Sequence, residues 1–306
     1  MTWSLTDMPD LSGKTFLVTG VTSGLGRETA LELVRHDARV ILAARSRHKL
    51  HDLRDELHRE RPGAPVEQVV VDLTDLASVR KAGVATSKLG PIDVLINNAG
   101  VMATPAQRST LGLDLQMVTN HFGPFLLTGL LLPQLAASGD GRVVTVSSSM
   151  HHFARSAPLG DPFKAPQRYR RWQVYAQSKL ANLMFTYEFD RRLRAAGVPI
   201  KALAAHPGYS ATHLLSYGQT MKASGGITGI LDAAMKAGAQ RPEMGAMPSL
   251  MAAVDDLPGG TFTGPSGFRE LRGLPTVVKS SRLSRDESEQ RELWEISQKT
   301  VGIRYP

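Results

Sequence analysis

Tyr175 and Lys179 lie four residues apart in the stretch VYAQSKLAN. On a helix that spacing places a phenol and an ammonium on one face, one turn apart. A free tyrosine keeps its proton up to pH ~10 and is a poor proton shuttle near neutrality unless a fixed positive charge stabilises the phenolate. The pair therefore predicts a tyrosine acid/base. Tyr-x-x-x-Lys also arises by chance in helices, so its weight depends on what accompanies it.

The chain supplies companions in an order that fits an α/β fold. In TFLVTGVTSGLGRETALELV, five residues rich in β-formers, Thr15 to Thr19, run into Gly20, Thr22, Ser23, Gly24, Leu25 and Gly26, and an amphipathic helix with Ala30, Leu33 and Val34 on one face follows. A strand, a glycine turn and a helix bring backbone N–H groups to a helix N-terminus, where a diphosphate is favoured. The spacing is G-x-x-x-G-x-G, not G-x-G-x-x-G, and a tight βα turn with no ligand is the plainer reading of that segment alone. Further strands are expected near 39–44, 66–71, 92–97, 142–147, 200–205 and 260–263, with helical patterns between most of them. Apolar runs such as Val40-Ile41-Leu42-Ala43 and Val94-Leu95-Ile96 read as strands buried on both faces. The expectation is a single-domain, doubly wound α/β fold with a mostly parallel seven-stranded sheet, its ligand at the carboxyl ends of the strands.

Composition bounds the alternatives. The 306 residues carry a net charge of +8, 42% hydrophobic residues and no cysteine. Disulfides, zinc-thiolate sites and thiol catalysis are excluded. Basic clusters at Arg168, Arg170, Arg171 and at Arg191, Arg192, Arg194 are interspersed with acids, which argues against a nucleic-acid partner. The N-terminus has no basic segment followed by an apolar one, so neither signal peptide nor membrane anchor is expected and the protein is expected to be cytoplasmic. His151 and His152 invite a metal, but adjacent histidines in a strand face opposite ways and no suitably spaced carboxylate accompanies them, so no metal is expected.

Taken in order, Thr19-Gly20-x-x-x-Gly24-x-Gly26, Asn97-Asn98-Ala99-Gly100, Asn120, Ser147-Ser148, Tyr175-x-x-x-Lys179 and Pro207-Gly208 resemble the short-chain dehydrogenase/reductase family. Within it the chain is most similar to the retinol dehydrogenase and WW-domain oxidoreductase branch, through Ser147-Ser148 followed by His151-His152, Ser178-Lys179-Leu180-Ala181-Asn182, His206-Pro207-Gly208 and Leu293-Trp294-Glu295-Ile296-Ser297. The resemblance implies a Rossmann fold over residues 11–265, with a substrate lid about 209–240, and leaves 266–306 as a C-terminal extension packed on the same domain.

It also implies a cofactor and roles. NAD enzymes of this architecture commonly carry an acid at the end of the second strand, whereas this chain has Ala44-Arg45, with Arg47 two residues on. A guanidinium suits a 2′-phosphate, so NADP(H) is expected. By resemblance Asp72 lies beside the adenine, with Leu73 next to it. Asn98, Ala99 and Gly100 line the adenosine ribose, and Pro207, Gly208 and Thr212 border the nicotinamide and diphosphate. Lys179 also binds the nicotinamide ribose, and Asn120 holds a water linking Lys179 to solvent. Strand alternation lets at most one of Ser147 and Ser148 face a substrate oxygen; periodicity does not choose, and resemblance selects Ser148.

An insertion between Ser148 and Tyr175 carries Phe153, Phe163, Tyr169 and Trp172, which can wall an apolar pocket or cover a sheet edge. The Met221–Met251 stretch holds five methionines, of which Met244, Met247 and Met251 read as core. The implied activity is hydride exchange between nicotinamide and a carbonyl or alcohol of an apolar small molecule, retinoid-, steroid- or aldehyde-like, by a possible homo-oligomer. The alternatives are a non-catalytic dinucleotide sensor, which usually lacks an intact Tyr/Lys pair, and a scaffold protein, for which no appended module speaks.

Overall fold

The computed structural model describes residues 3–209 and 240–306. Thr212 and most of the expected lid lie outside the described residues. The chain alternates β1 (Thr15–Thr19), α1 (Gly24–Arg35), β2 (Arg39–Ala44), α2 (Arg47–Glu60), β3 (Val66–Val70), α3 (Leu76–Ser87) and β4 (Val94–Asn97). The short α4 (Leu115–Met117), α5 (Gly123–Ala136), β5 (Gly141–Val146), α6 (Arg171–Ala195) and β6 (Ile200–Ala205) follow. After the undescribed segment come α7 (Pro242–Val254), β7 (Phe262–Pro265), β8 (Pro275–Val277) and α8 (Glu287–Val301).

One sheet takes all these strands in the order β3-β2-β1-β4-β5-β6-β7-β8. Every pairing is parallel except β7 with β8. The doubly wound fold is as expected, with eight strands where seven were predicted. The added strand is a three-residue antiparallel edge that begins on a proline, a position where a lost N–H costs little.

Alternation distributes the strand side chains to two cores. Leu17, Ile41, Leu95 and Val143 join one cluster with α3, α5, α6 and α8, while Phe16, Val18, Val40, Leu42, Val94, Ile96 and Val144 join another with α1, α2 and α7. Burial on both faces explains the near-continuous apolar runs. Met247 and Met251 are buried in the second cluster, with Met244 packed against it. α2 presents only Leu50, Leu53 and Leu57 inward, the single stripe of a surface helix, and Ser46 caps it by accepting from the Lys49 N–H.

The C-terminal helix is stitched into the first core. Trp294 is buried, stacks on Phe185 at 5.9 Å between ring centroids and meets Phe125 edge-on at 5.0 Å, with the Arg192 guanidinium 4.8 Å from its ring. Among the described residues no helix is long and apolar enough to cross a membrane.

Candidate active site

The sheet's central crossing, β1 beside β4, assembles the glycine turn. Thr19 ends β1 fully buried, and its Oγ1 accepts from the backbone N–H of Asn98 and of Ala99, both at 3.0 Å. Asn98 returns its side-chain amide to the Thr19 carbonyl at 2.7 Å. This clamp draws the Asn98–Gly100 segment onto the turn so closely that a β-carbon on Gly20 would lie 2.7 Å from the Ala99 Cα, and one on Gly26 2.4 Å from the Asn98 amide nitrogen. Ser23, at the N-cap of α1, makes no side-chain capping bond. The first N–H groups of α1 thus keep their capacity for an external acceptor, as a diphosphate would be. Beside this end of α1, Thr22, Arg27, Lys49, Asp52, Leu53 and Glu56 line an open cleft.

Arg45 is exposed directly after the last residue of β2, and Arg47 opens α2. Asp72, just past β3, accepts from the Thr74 N–H at 2.9 Å and hydroxyl at 2.7 Å. The neighbouring Leu73 carbonyl sits against Gly123 at the start of α5, where a β-carbon would approach to 2.4 Å.

Tyr175 and Lys179 both lie on α6 and are buried, at 4% exposure each. Lys179 Nζ donates to the Val146 carbonyl at the end of β5 at 3.0 Å, beside the Asn182 amide, which donates to the same oxygen. Ser147 is buried and donates its hydroxyl to the Lys179 carbonyl at 2.7 Å. The next residue faces the other way: Ser148 accepts from the Met150 N–H at 3.2 Å, and its hydroxyl lies near enough to the Tyr175 phenol to act on its proton. The register at the end of β5 thus separates the two serines, one toward the helix backbone and one toward the tyrosine.

The electrostatics differ from the simple expectation of a cation lowering a phenol. Burial pushes Tyr175 up to about 12, opposed by the nearby Ser148 hydroxyl. Burial also pulls Lys179 down to about 8. Desolvation penalises both charged forms, and the ammonium points to Val146, 6.0 Å from the centre of the tyrosine ring.

Asn120 is buried in a π-turn, Val118–Phe122, between α4 and α5. Its Oδ1 accepts from the Val101 N–H at 2.8 Å, and its Nδ2 donates to the Val101 carbonyl at 2.9 Å and to Ser178 Oγ at 2.9 Å. The side chain expected to hold a water is therefore engaged in fixing the loop after β4 to α6. π-turns recur at functional sites, and this one is anchored by the next residue. Ser297 donates to the Leu293 carbonyl, so it takes its bond at 2.7 Å from a proton on His121 Nε2. Burial pulls His121 down to about 3, so it is neutral. The Leu293–Ser297 motif thus reaches the site through α8.

His151 and His152 sit in a 3₁₀ turn, Ser149–Phe153, not in a strand, with their rings 4.0 Å apart. His151 Nε2 accepts from the Ser281 N–H at 3.0 Å, which leaves Nδ1 to donate to the Ser148 carbonyl at 2.7 Å. That histidine orients Ser148, a role sequence reasoning missed because its partner lies on a distant loop. Pro207 and Gly208 follow β6, preceded by the fully buried His206. Among the aromatics of the insertion, Trp172 meets Tyr175 edge-on at 6.4 Å and is 45% exposed, while Phe153 and Phe163 are more exposed. Tyr169 accepts from the Gln116 amide at 2.8 Å.

The chain is similar to proteins of one kind. Residues 14–159 match the family described as short chain dehydrogenase. Human retinol dehydrogenase 13 is 34% identical over 307 residues, an alignment covering 97% of this chain and 87% of that protein. Human retinol dehydrogenase 14 is 35% identical over 310 residues, with 96% and 88% covered. The crystal structure of an uncharacterized protein from Mycobacterium paratuberculosis matches at a TM-score of 0.81 and 39% identity, covering 100% of both chains.

Proposed function

Since the chain belongs to the short-chain dehydrogenase family, on its retinol dehydrogenase-like branch, we propose that it is an NADP(H)-dependent oxidoreductase acting on the carbonyl or alcohol of an apolar small molecule. The observation that carries this reading is the buried Tyr175 with the Ser148 hydroxyl beside its phenol and Lys179 one turn along α6, at the carboxyl ends of the strands where the glycine turn also lies.

The dinucleotide fits the residues present: the uncapped start of α1 and the cradle at Gly20 and Gly26 are what a diphosphate requires. Thr22, Ser23, Gly24 and Leu25 complete that turn; Asp72 and Leu73 hold the adenine end, Asn98, Ala99 and Gly100 the ribose, and Pro207 and Gly208 the nicotinamide end. When bound, the nicotinamide supplies or accepts a hydride at C4. The chain's part is to hold the substrate oxygen and move its proton. Ser148 donates to the oxygen where charge develops. Its own acceptor capacity is partly taken by Met150, which leaves its proton for that oxygen. Tyr175 exchanges the proton, Lys179 holds the ribose hydroxyls and supplies positive charge, and Asn120 keeps the Val101 loop in register behind them.

A phenol pushed up to about 12 is protonated at neutrality, the form that reduces a carbonyl. An apolar substrate is supported by Trp172 beside Tyr175, and the relatives' printed name makes retinoids the first compounds to try.

The test is a panel of retinoid, steroid and alkyl aldehydes and ketones, following loss of NADPH absorbance with NADH in parallel. Turnover with NADPH on an apolar carbonyl is expected. Tight NADPH binding without turnover on any of them would instead mark a sensor.

Cofactor choice has its own expected outcome. Arg45→Asp removes a cation and places a carboxylate where the 2′-phosphate is proposed to sit, while offering a ribose hydroxyl an acceptor. The ratio of kcat/KM for NADPH over NADH is expected to fall by at least about 10-fold, the scale of one charged hydrogen bond. A wild type that already prefers NADH would overturn the phosphate assignment.

A further inference from the structure

The connection between β7 and β8 contains two consecutive non-glycine residues in the left-handed region, Arg269 (φ 51°) and Glu270 (φ 56°). Side-chain sterics disfavour that conformation, and it persists where the surroundings over-determine it. Here the loop is closed at its base by the Gly267 N–H donating to the Arg272 carbonyl at 2.9 Å and the Ser266 N–H donating to the Leu274 carbonyl at 2.9 Å. Its tip reaches the turn after β6.

That turn is held at four backbone groups. Gly208 donates its N–H to His206 Nδ1 at 3.3 Å, which places the imidazole proton on Nε2, and Nε2 donates to Glu270 Oε2 at 3.0 Å. The Tyr209 N–H donates to the Leu271 carbonyl at 2.7 Å, and the Tyr209 carbonyl accepts from the Gln240 N–H at 2.9 Å. The Gln240 side chain donates to the Pro207 carbonyl and accepts from the Gly273 N–H at 3.3 Å, tying the turn back to the same loop. Gly208 has φ +64°, and a β-carbon there would lie 2.5 Å from the Leu271 oxygen. His206 is fully buried and sits 5.1 Å from the Phe262 ring, so its position is set by its surroundings and its tautomer by its two bonds.

We infer that the Gly267–Gly273 loop is a clamp on the Pro207–Gly208 turn, and that Glu270 is a positioning residue for dinucleotide binding, acting through His206. This rests on the reading that the turn borders the nicotinamide and diphosphate. Glu270 brings a carboxylate to the clamp, and its hydrogen bond with His206 holds that carboxyl below the usual carboxylate range. The carboxylate fixes the proton on Nε2, and a neutral Nδ1 lone pair is what Gly208 needs. Without it the imidazole is free to take the other tautomer, whose Nδ1–H would face the Gly208 N–H, donor against donor.

The experiment titrates NADPH into the full chain, following nicotinamide fluorescence, for the wild type, Glu270→Ala and Glu270→Gln, with melting temperatures and steady-state kinetics on each. Glu270→Ala is expected to weaken NADPH binding about 10-fold, the scale of one hydrogen bond to a charged group. KM for NADPH rises in step and kcat changes less, with the melting temperature moving by no more than about 4 °C. Glu270→Gln keeps an acceptor oxygen for His206 Nε2–H and is expected to restore binding to within a few-fold of wild type. If Glu270→Ala binds NADPH as tightly as a binding-competent wild type, or if Glu270→Gln is as impaired as Glu270→Ala, the positioning role is wrong. If the wild type binds no dinucleotide, the functional reading itself fails, and the inference with it.

Discussion

Tyr175→Phe is expected to lower turnover by about 10²-fold or more, the typical loss when an acid/base group is removed, while NADPH affinity stays within a few-fold of wild type. The substitution takes away one oxygen and leaves the ring that meets Trp172 edge-on. Packing is therefore preserved, and the half-buried Ser148 keeps its bond to the Met150 N–H. The loss should appear in kcat and kcat/KM alike, the signature of an interaction made in the transition state. A variant that keeps most of its activity would remove Tyr175 from the chemistry.

The second large effect separates three serines. Ser148→Ala is expected to cost roughly 2–4 kcal/mol of transition-state stabilisation, as loss of an oxyanion donor does, or about 30- to 1,000-fold in kcat. Ser147→Ala removes a hydroxyl that holds β5 to the Lys179 carbonyl. It is expected to cost about 1 kcal/mol of stability with little change in kcat. Ser149 opens the following 3₁₀ turn, and Ser149→Ala should leave kcat near wild type. Comparing kcat with the melting temperature across the three variants checks the assignment. A crippled Ser147→Ala enzyme with normal stability would mean that the substrate oxygen lies on the other side of the strand.

The parts of the site that were legible in the sequence are those governed by local periodicity. The strand carrying Thr15–Thr19, the glycine turn and the helix after it are consecutive in the chain, so β-propensity, a break and a 3.6-residue pattern suffice to find them. The four-residue spacing of Tyr175 and Lys179 placed both on one helix for the same reason. Spacing says nothing of solvent, however. Burial of both residues outweighs their mutual influence, so the phenol rises where a lowered value was expected. Asn120 was found as a residue but not as a device, because its π-turn and its bonds to Val101 and Ser178 depend on segments 19 and 58 residues away. His151 was misjudged through a strand assumption: extended backbone continues past β5 only to Ser148, and the 3₁₀ turn that opens at Ser149 ends the alternation. The pairing of His206 with Glu270, 64 residues apart, and the short β8 carry no local pattern at all.

The most direct measurement of hydride transfer uses NADPH carrying deuterium at both C4 positions of the reduced ring, incubated with the wild type and an apolar aldehyde that the panel identifies. Mass spectrometry of the alcohol product should show one deuterium on the carbinol carbon, formed at a rate reduced by about 10²-fold or more with Tyr175→Phe. Alcohol formed without deuterium, or formed equally fast by Tyr175→Phe, would contradict NADPH-dependent reduction at Tyr175.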